Sequence, residues 1–256
     1  MAADSGDDGH RYDAVFYAYQ REGSLRSAQA VIPHVIRTLS TASVLDVGCG
    51  AGAWLVACRT HGVRDYIGVD GDYVDRSLLL VEPSQFLARN IAAPFDIARQ
   101  FDLVMCLEVG EHIPTAASAT LVDNIVRHGR HVLFSAAVPG QGGEDHINEQ
   151  PYGFWRDLFA KRGYRLFDFV RPLIRNDRRI EPWYRYNVLF FCRDDAIAAL
   201  PPAVIATRVD DDARVSDESP VAYRLRKVVM RSLPSRLVSG LAVLKHKIVV
   251  GSAIRS

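Results

Sequence analysis

Nowhere in its 256 residues does the chain have a run of ~18 consecutive apolar residues, the minimum for a membrane-spanning helix. Met1 to His10 is rich in Asp and Gly and lacks the basic start and apolar stretch of a secretory signal. A cytoplasmic protein is expected. Cysteine is scarce: Cys49, Cys58, Cys106 and Cys192 are widely spaced, form no C-x-x-C pair, and three of them fall in or beside apolar runs. That excludes a disulfide framework and points to reduced structural thiols. An excess of either charge is also missing. With 31 Lys and Arg against 30 Asp and Glu the formal net charge is +1, so there is no chain-wide footprint to neutralise phosphates, and no nucleic-acid partner is expected. Internal repeats are absent.

What is present suits one α/β domain with appendages, since 48% hydrophobic and 24% charged residues can bury a sizeable core. Residues 1–11 read as a disordered start. From Tyr12 to Ser40 apolar residues recur at helical spacing, with Ser24 as a cap ahead of Ala28, Val31, Val35 and Ile36, which predicts one or two helices. The pattern then changes to short strand-like runs, Val44 to Val47, Tyr66 to Val69, Gln85 to Ala88, Phe101 to Cys106 and His131 to Phe134. Helices are expected between and after them, over Ala51 to His61, Tyr73 to Leu80, Ala116 to Arg127 and Tyr152 to Lys161. This alternation predicts a parallel sheet with helices on both faces.

Two further strands, Arg165 to Val170 and Tyr186 to Cys192, close a domain of residues 12–194. Between them Arg171 to Arg185 holds five arginines beside Trp183 and Tyr184, too long for a tight hairpin and a candidate lid or substrate loop. Pro201-Pro202 and the acidic clusters at Asp210 to Asp212 and Asp217-Glu218 mark residues 195–219 as a linker. Residues 220–256 carry eight Lys or Arg and no Asp or Glu among Leu, Val and Ile at near-helical spacing, a basic amphipathic helix pair. Two roles for this tail stand open: packing against the domain or a second copy in a homodimer, which is favoured, or peripheral contact with an anionic membrane surface or a lipid-linked substrate.

Val44 to Gly52 reads Val-Leu-Asp-Val-Gly-Cys-Gly-Ala-Gly, a buried strand through Asp46 followed by Gly48, Gly50 and Gly52 opening a helix. Such a turn needs glycine because backbone approaches a ligand closely in conformations that a Cβ hinders. Gly48-x-Gly50-x-x-Ala53 also meets the loose dinucleotide fingerprint, with Asp70 placed for a ribose diol, so a nicotinamide dehydrogenase is a rival. The full D-x-G-x-G-x-G string, followed by Ile67-Gly-Val-Asp70-Gly71, resembles the nucleoside-binding motifs of class I S-adenosylmethionine (SAM) dependent methyltransferases. Phe101-Asp-Leu-Val-Met-Cys-Leu-Glu-Val-Gly-Glu-His-Ile113 resembles their fourth strand and its following loop.

This resemblance covers about Ala28 to Cys192 and implies a Rossmann-like seven-stranded sheet with SAM as cofactor. It implies that Gly48, Gly50 and Gly52 line the methionine and ribose side, and that Asp46 helps hold the methionine end. Asp70 would take the ribose hydroxyls, Asn90 and Ile91 would flank the adenine, and Leu107 and Glu108 would close the pocket. Asn90 stands where the family often has Asp; an amide both donates and accepts, and it can equally cap a turn.

Cys106-Leu-Glu-Val occupies the place where methyltransferases of amide or ring-amino nitrogens carry Asn or Asp, Pro-Pro and an aromatic, so a nitrogen acceptor of that kind is disfavoured. A hydroxyl acceptor needs a base, and histidine titrates in the right range. His112, in Glu108-x-x-Glu111-His112, and His146, in the Gly-rich loop Gln141 to Glu149, both lie at the carboxyl edge of the sheet, with Glu111 assisting. The stretch Phe134 to Trp155 with Leu158 to Tyr164 is similar to bacterial sugar and polysaccharide O-methyltransferases, mycobacterial ones among them, which implies a sugar or oligosaccharide acceptor.

Tyr152, Trp155, Trp183 and Tyr184 supply rings suited to sugar faces, core packing being the other use of Trp155. Arg175, Arg178 and Arg179 can bind an acceptor phosphate or carboxylate, or form a solvated face. Glu108, Glu111, Glu144, Asp145, His146 and Glu149 offer donors for a divalent ion, magnesium being the option considered, although no spacing among them is diagnostic. Another small hydroxyl acceptor, a quinone or polyketide, and a non-catalytic SAM-binding scaffold are the alternatives.

Overall fold

The computed structural model describes the backbone of residues 6–231 and the side chains of residues 22–231. In chain order the elements are α1 (Gly6–Leu39), β1 (Ser43–Val47), α2 (Ala53–Thr60), β2 (Asp65–Asp70), β3 (Phe86–Ala88) and β4 (Leu103–Leu107). They continue as α3 (Ser118–Arg127), β5 (His131–Ser135), α4 (Tyr152–Ala160), β6 (Tyr164–Phe167), α5 (Val170–Ile174), α6 (Pro182–Asn187), β7 (Leu189–Arg193), α7 (Pro202–Ile205) and α8 (Val221–Arg231). The seven strands form one sheet in the order β3-β2-β1-β4-β5-β7-β6, parallel except for β7, which runs antiparallel to both neighbours.

Strand alternation assigns each residue to one of two cores. Val44, Leu103, Met105 and Phe190 point into the core under α1, α2, α5 and α6, whereas Leu45, Val104, Cys106 and Phe191 point into the one under α3 and α4. With both faces covered, all five residues of β4 are buried, as a central parallel strand requires. In α1 the buried residues Ala28, Val31, Ile32, Val35 and Ile36 follow the i, i+3, i+4, i+7, i+8 spacing of a helix laid on a sheet. All four cysteines are buried and unpaired.

Several expectations are corrected. The first helix already begins at Gly6, inside the stretch read as disordered, and it is a single helix. Tyr73 to Leu80 is not a helix: only a 3-10 turn forms over Arg76–Leu78, because Asp75 accepts from the backbone N–H and hydroxyl of Ser77. Tyr73 and Leu78 are left exposed, and Val74 and Leu79, which pack partly against the core, stand five residues apart, which is not the spacing of one helical face.

The arginine-rich insertion is not an open loop either. It folds into α5 and α6, with Pro182 at the start of the latter, where its fixed φ suits a helix. The expected linker is packed against the domain. The N–H of Asp168 donates to the carbonyl of Thr207 and that of Val209 to Leu166, so the segment covers the open edge of β6, and Val215 and Ser219 are buried.

Helix α8 is tied to the domain through three of its cations. Lys227 is 2% exposed against Asp217, Arg226 donates to the carbonyl of Gln141 at 2.9 Å, and Arg231 donates to that of Pro139 at 2.7 Å. Its apolar residues Val221, Leu225, Val228 and Val229 face outward at 59–61% exposure. The second helix expected in the tail lies outside the described residues. Among those residues no helix is long and apolar enough to cross a membrane.

Arg171 holds this side of the molecule together. It is fully buried, grips Asp168 through two bonds of 2.8 and 2.6 Å, and donates to the carbonyl of Ser216 at 2.8 Å. Arg171→Leu leaves that carboxylate and carbonyl unpaired and should cost about 3–5 kcal/mol in urea unfolding. Arg179→Ala, which removes an exposed arginine paired with Asp177, should leave the unfolding midpoint in place. Equal midpoints for the two variants would refute the role given to Arg171.

Candidate active site

The glycine turn lies where β1, β2 and β4 end. Gly48, Gly50 and Gly52 have φ of 80°, 51° and 89°, all left-handed, and two of them show why glycine is there. A Cβ on Gly48 would stand 2.4 Å from a methyl of Val109, whereas one on Gly50 would meet nothing within 4 Å and would project into open space. The turn is tied to β2, since the N–H groups of Gly48 and Cys49 both donate to the carbonyl of Val69. Asp70, the last residue of β2, closes it by accepting from the N–H of Gly50 and of Gly71 at 2.7 Å each and from the Tyr73 hydroxyl at 2.6 Å.

Beneath the turn Asp46 is 2% exposed, and its Oδ2 has no hydrogen-bond partner among the described residues. Burial, reinforced by the charge of Asp70, pushes its pKa up to about 8. An orphaned acid beneath backbone that a Cβ would obstruct fits the cationic, nucleoside-bearing SAM. The residues this edge offers to it are Asp46, Gly48, Gly50, Gly52 and Asp70, with Leu107 buried and Glu108 adjoining at the end of β4. Asn90, by contrast, is exposed, and its Oδ1 accepts from the N–H of Ala92, the turn-capping role. Its neighbour Ile91 packs into the core with Leu45 and Val69.

Glu108 takes a left-handed φ of 55°, which turns the chain out of β4. Its carboxylate accepts from Gln141 at 2.9 Å and Asn187 at 3.2 Å. Burial raises its pKa against the pull of those bonds. Asn187 also donates to Gln141 and accepts from the Tyr152 hydroxyl, each within 3.0 Å. Gln141 and Asn187 were not singled out in the sequence. Neither stands in a motif, and the network exists only once β5, α4 and α6 converge.

Beyond Glu108, a 3-10 turn over Gly110–His112 presents Glu111 and His112. Glu111 is 1% exposed, and neither of its oxygens has a hydrogen-bond partner among the described residues. Its pKa stands well above the carboxylate range, through burial and then the like charge of Glu108. The Gly-rich loop returns to this turn: the N–H groups of Ile147 and Asn148 donate to the Glu111 carbonyl at 2.9 and 3.0 Å, and the Asn148 amide donates to the carbonyl of Gly110.

His146 thereby comes to His112, the rings edge-on with centroids 5.0 Å apart. Behind it Glu149 bonds the His146 Nδ1 at 3.0 Å and accepts from the N–H of Gly140 and Gly142 at 2.7 Å each. Burial alone would raise the Glu149 pKa, but these bonds hold it below the usual range. Two histidines and a glutamate singled out from separate segments thus meet at one point.

The expected aromatic platform does not form. Tyr152 is buried, its hydroxyl bonded to the carbonyl of Tyr186 and to Asn187. Tyr184 is buried edge-on against Trp54 with its hydroxyl on Ser24, and Trp183 is half-buried on the same cluster. Trp155 is core, filling the space beside Gly110. Arg175 and Arg179 are engaged by Glu218 and Asp177, while Arg175, Arg178, Arg185, Tyr186 and Glu218 line an open cleft.

A seven-stranded sheet with its penultimate strand reversed, a glycine turn after β1 and an acid closing β2 define the fold of class I SAM-dependent methyltransferases. The family model for the methyltransferase domain matches residues 17–168, more than half of the chain, and the chain belongs to that family. Among curated relatives, a ubiquinone biosynthesis O-methyltransferase of Acinetobacter baylyi is 31% identical over 106 residues, 38% of this chain and 44% of that protein. One of Pseudomonas syringae pv. tomato is 30% identical over 135 residues, 49% of this chain and 51% of that protein. The chain spans about half the length of the curated relatives it matches.

Two solved structures share the fold. A sugar N-methyltransferase from Streptoalloteichus sp ATCC 53650 superposes with a TM-score of 0.54 at 18% identity, covering 75% of this chain and 94% of that one. The magnesium protoporphyrin IX methyltransferase of Synechocystis PCC 6803 with bound SAH gives 0.51 at 15%, covering 73% and 95%.

The raised pKa of Asp46 has a measurable sign. The unfolded chain ionises Asp46 near 3.8 while the folded one holds the proton to about 8, so stability is fully present below the lower value and is lost as pH rises through the higher. Across that window the slope is at most about 1.4 kcal/mol per pH unit. Asp46→Asn should therefore gain on the wild type in urea unfolding from about pH 4 to about pH 8, the difference levelling off on either side. Parallel pH profiles would refute an uncompensated acid at this position.

Proposed function

We propose that the chain transfers the methyl group of SAM to a hydroxyl oxygen held at the Glu111, His112 and His146 cluster. The observation that carries this reading is the His146–Glu149 pair facing His112 at the carboxyl edge of the sheet, beside the glycine turn. SAM supplies an activated methyl on a sulfonium, so the protein's part is to hold both reactants and to remove the hydroxyl proton. Asp46, the three glycines, Asp70, Leu107 and Glu108 form the cofactor side. On the acceptor side Glu149 fixes Nδ1 of His146, which leaves Nε2 as the nitrogen offered to the acceptor. The His146 ring packs directly against Gly143, where a Cβ would stand 2.1 Å from that nitrogen.

The leading acceptor is a sugar or oligosaccharide hydroxyl, supported by the resemblance of residues 134–155 and 158–164 to bacterial sugar and polysaccharide O-methyltransferases; Glu108, Gln141 and Asn187 beside the cluster are bonded to one another. Burial of Tyr152 and Tyr184 removes the ring platform from that argument. A phenolic hydroxyl of a quinone precursor is the second reading, favoured by the ubiquinone biosynthesis O-methyltransferases among the relatives.

Isothermal titration should show S-adenosylhomocysteine, and not NADH, binding to the wild type. Asp70→Ala should weaken that binding roughly tenfold or more, the ~1.4 kcal/mol of one lost charged contact. Transfer of labelled methyl to a panel of sugars and catechols should identify the acceptor class. His146→Gln should lower transfer roughly 100-fold or more with S-adenosylhomocysteine affinity unchanged. Preference for NADH, or undiminished transfer by His146→Gln, would overturn the reading.

A further inference from the structure

Glu111 poses a problem that the methyltransferase fold alone does not solve. Taking an ionised carboxylate out of water costs several kcal/mol unless a cation or hydrogen-bond donors compensate. Glu111 is 1% exposed with neither oxygen bonded among the described residues. Its neighbour Glu108 carries the same sign and has its own amide partners, Gln141 and Asn187. No arginine or lysine pairs with Glu111 among the described ion pairs. The Glu108 carboxyl and the backbone of Ala137 lie against it on the protein side, and two imidazoles approach from the loop side: one donor atom each from Glu111, His112 and His146 lie within 4.8 Å of one another.

The surroundings hold these three donors in place. His112 follows Glu111 in the chain, and His146 is delivered by a loop bonded to the Glu111 carbonyl through Ile147 and Asn148. Asn148 is itself saturated, donating to the carbonyl of Gly110 and the Ser118 hydroxyl and accepting from Thr115 and Gln150. Glu149 grips the far nitrogen of His146 while two backbone N–H groups grip Glu149. A carboxylate behind an imidazole is the arrangement that orients a metal-binding histidine and raises its basicity.

We infer that Glu111, His112 and His146 form a site for a divalent cation, which takes Nε2 of His146 and replaces that imidazole as the group acting on the acceptor hydroxyl, bound there as it loses its proton. The inference rests on the hydroxyl-acceptor reading only for that second clause. One carboxylate and two imidazoles leave coordination positions open, and this mixed donor set suits Mn2+, Co2+ or Zn2+ better than Mg2+, which prefers an all-oxygen, largely hydrated shell. A cation there compensates the Glu111 charge and lowers the pKa of an oxygen presented to it. The hydroxyl proton leaves to water, the oxygen forms its bond to the methyl carbon, and the carbon–sulfur bond breaks with its electron pair returning to the sulfonium. No oxidant or reductant is needed.

The test uses the full chain, stripped with a chelator and dialysed. Titration with Mn2+, followed by loss of the free-ion electron paramagnetic resonance signal, should show one ion bound per chain, and Mn2+ should raise the wild-type melting temperature. Glu111→Gln and His146→Gln should each weaken Mn2+ binding roughly tenfold or more and abolish the thermal shift. His61→Ala, at an exposed position on α2's far end, should change neither. Should Glu111→Gln fail to fold, His146→Gln carries the same comparison. Absence of Mn2+ and Co2+ binding at millimolar concentration would overturn the site without touching the methyl-transfer reading, which is assayed separately. Saturable binding with methyl transfer undiminished by chelator would overturn the role given to the ion.

Discussion

A sheet buried on both faces leaves its polar residues one place to go, and that constraint governs this molecule. β1 and β4 are surrounded by side chains from two cores, so the acids they carry are driven to the carboxyl edge, where the chain leaves the sheet. Asp46, Asp70, Glu108 and Glu111 collect there from three strands. Only Asp70 and Glu108 are fully engaged by protein donors; Asp46 keeps an oxygen unpartnered and Glu111 keeps two. The protein carries a stability cost at the same edge where its glycine turn leaves room for a ligand. On that coincidence rests the proposed division of the edge into a cofactor half and an acceptor half.

The two halves were unequally legible in the sequence. The cofactor half is written in residue types with no substitute: three left-handed glycines and an acid at the end of the next strand announce themselves. The strands were legible because short apolar runs between turns admit few other structures, and the seven-stranded sheet follows. Tyr73 to Leu80 shows where that logic stops. Its apolar residues suggested a helix, but Val74 and Leu79, which reach the core, do not share a helical face, and with Asp75 capturing the backbone of Ser77 the segment turned instead.

On the acceptor side, type and place come apart. His112 and His146 were visible because histidine is rare and the loops holding them follow β4 and β5. Gln141 and Asn187 carried no signal, since an amide becomes informative only when a particular acid arrives beside it. The aromatic residues misled for a related reason. A tyrosine such as Tyr152 or Tyr184 has both an apolar ring and a polar tip, and the core used both, the ring for packing and the hydroxyl for a buried bond. Sequence spacing does not say which neighbour claims them first. The segment after β7 was misjudged likewise, because Pro and Asp suggest a linker while the open edge of β6 supplied partners for its backbone.

Helix α8 has a consequence that reaches past packing. Its cations hold the carbonyls of Pro139 and Gln141, at the start of the loop that carries His146, while its valines and leucine face outward. Those two bonds tie the foot of the His146 loop to helix residues 85 and 92 positions further along the chain. A change that displaces α8 therefore takes the donors from two carbonyls of that loop, and the order of the histidine segment is set in part by residues that never touch it.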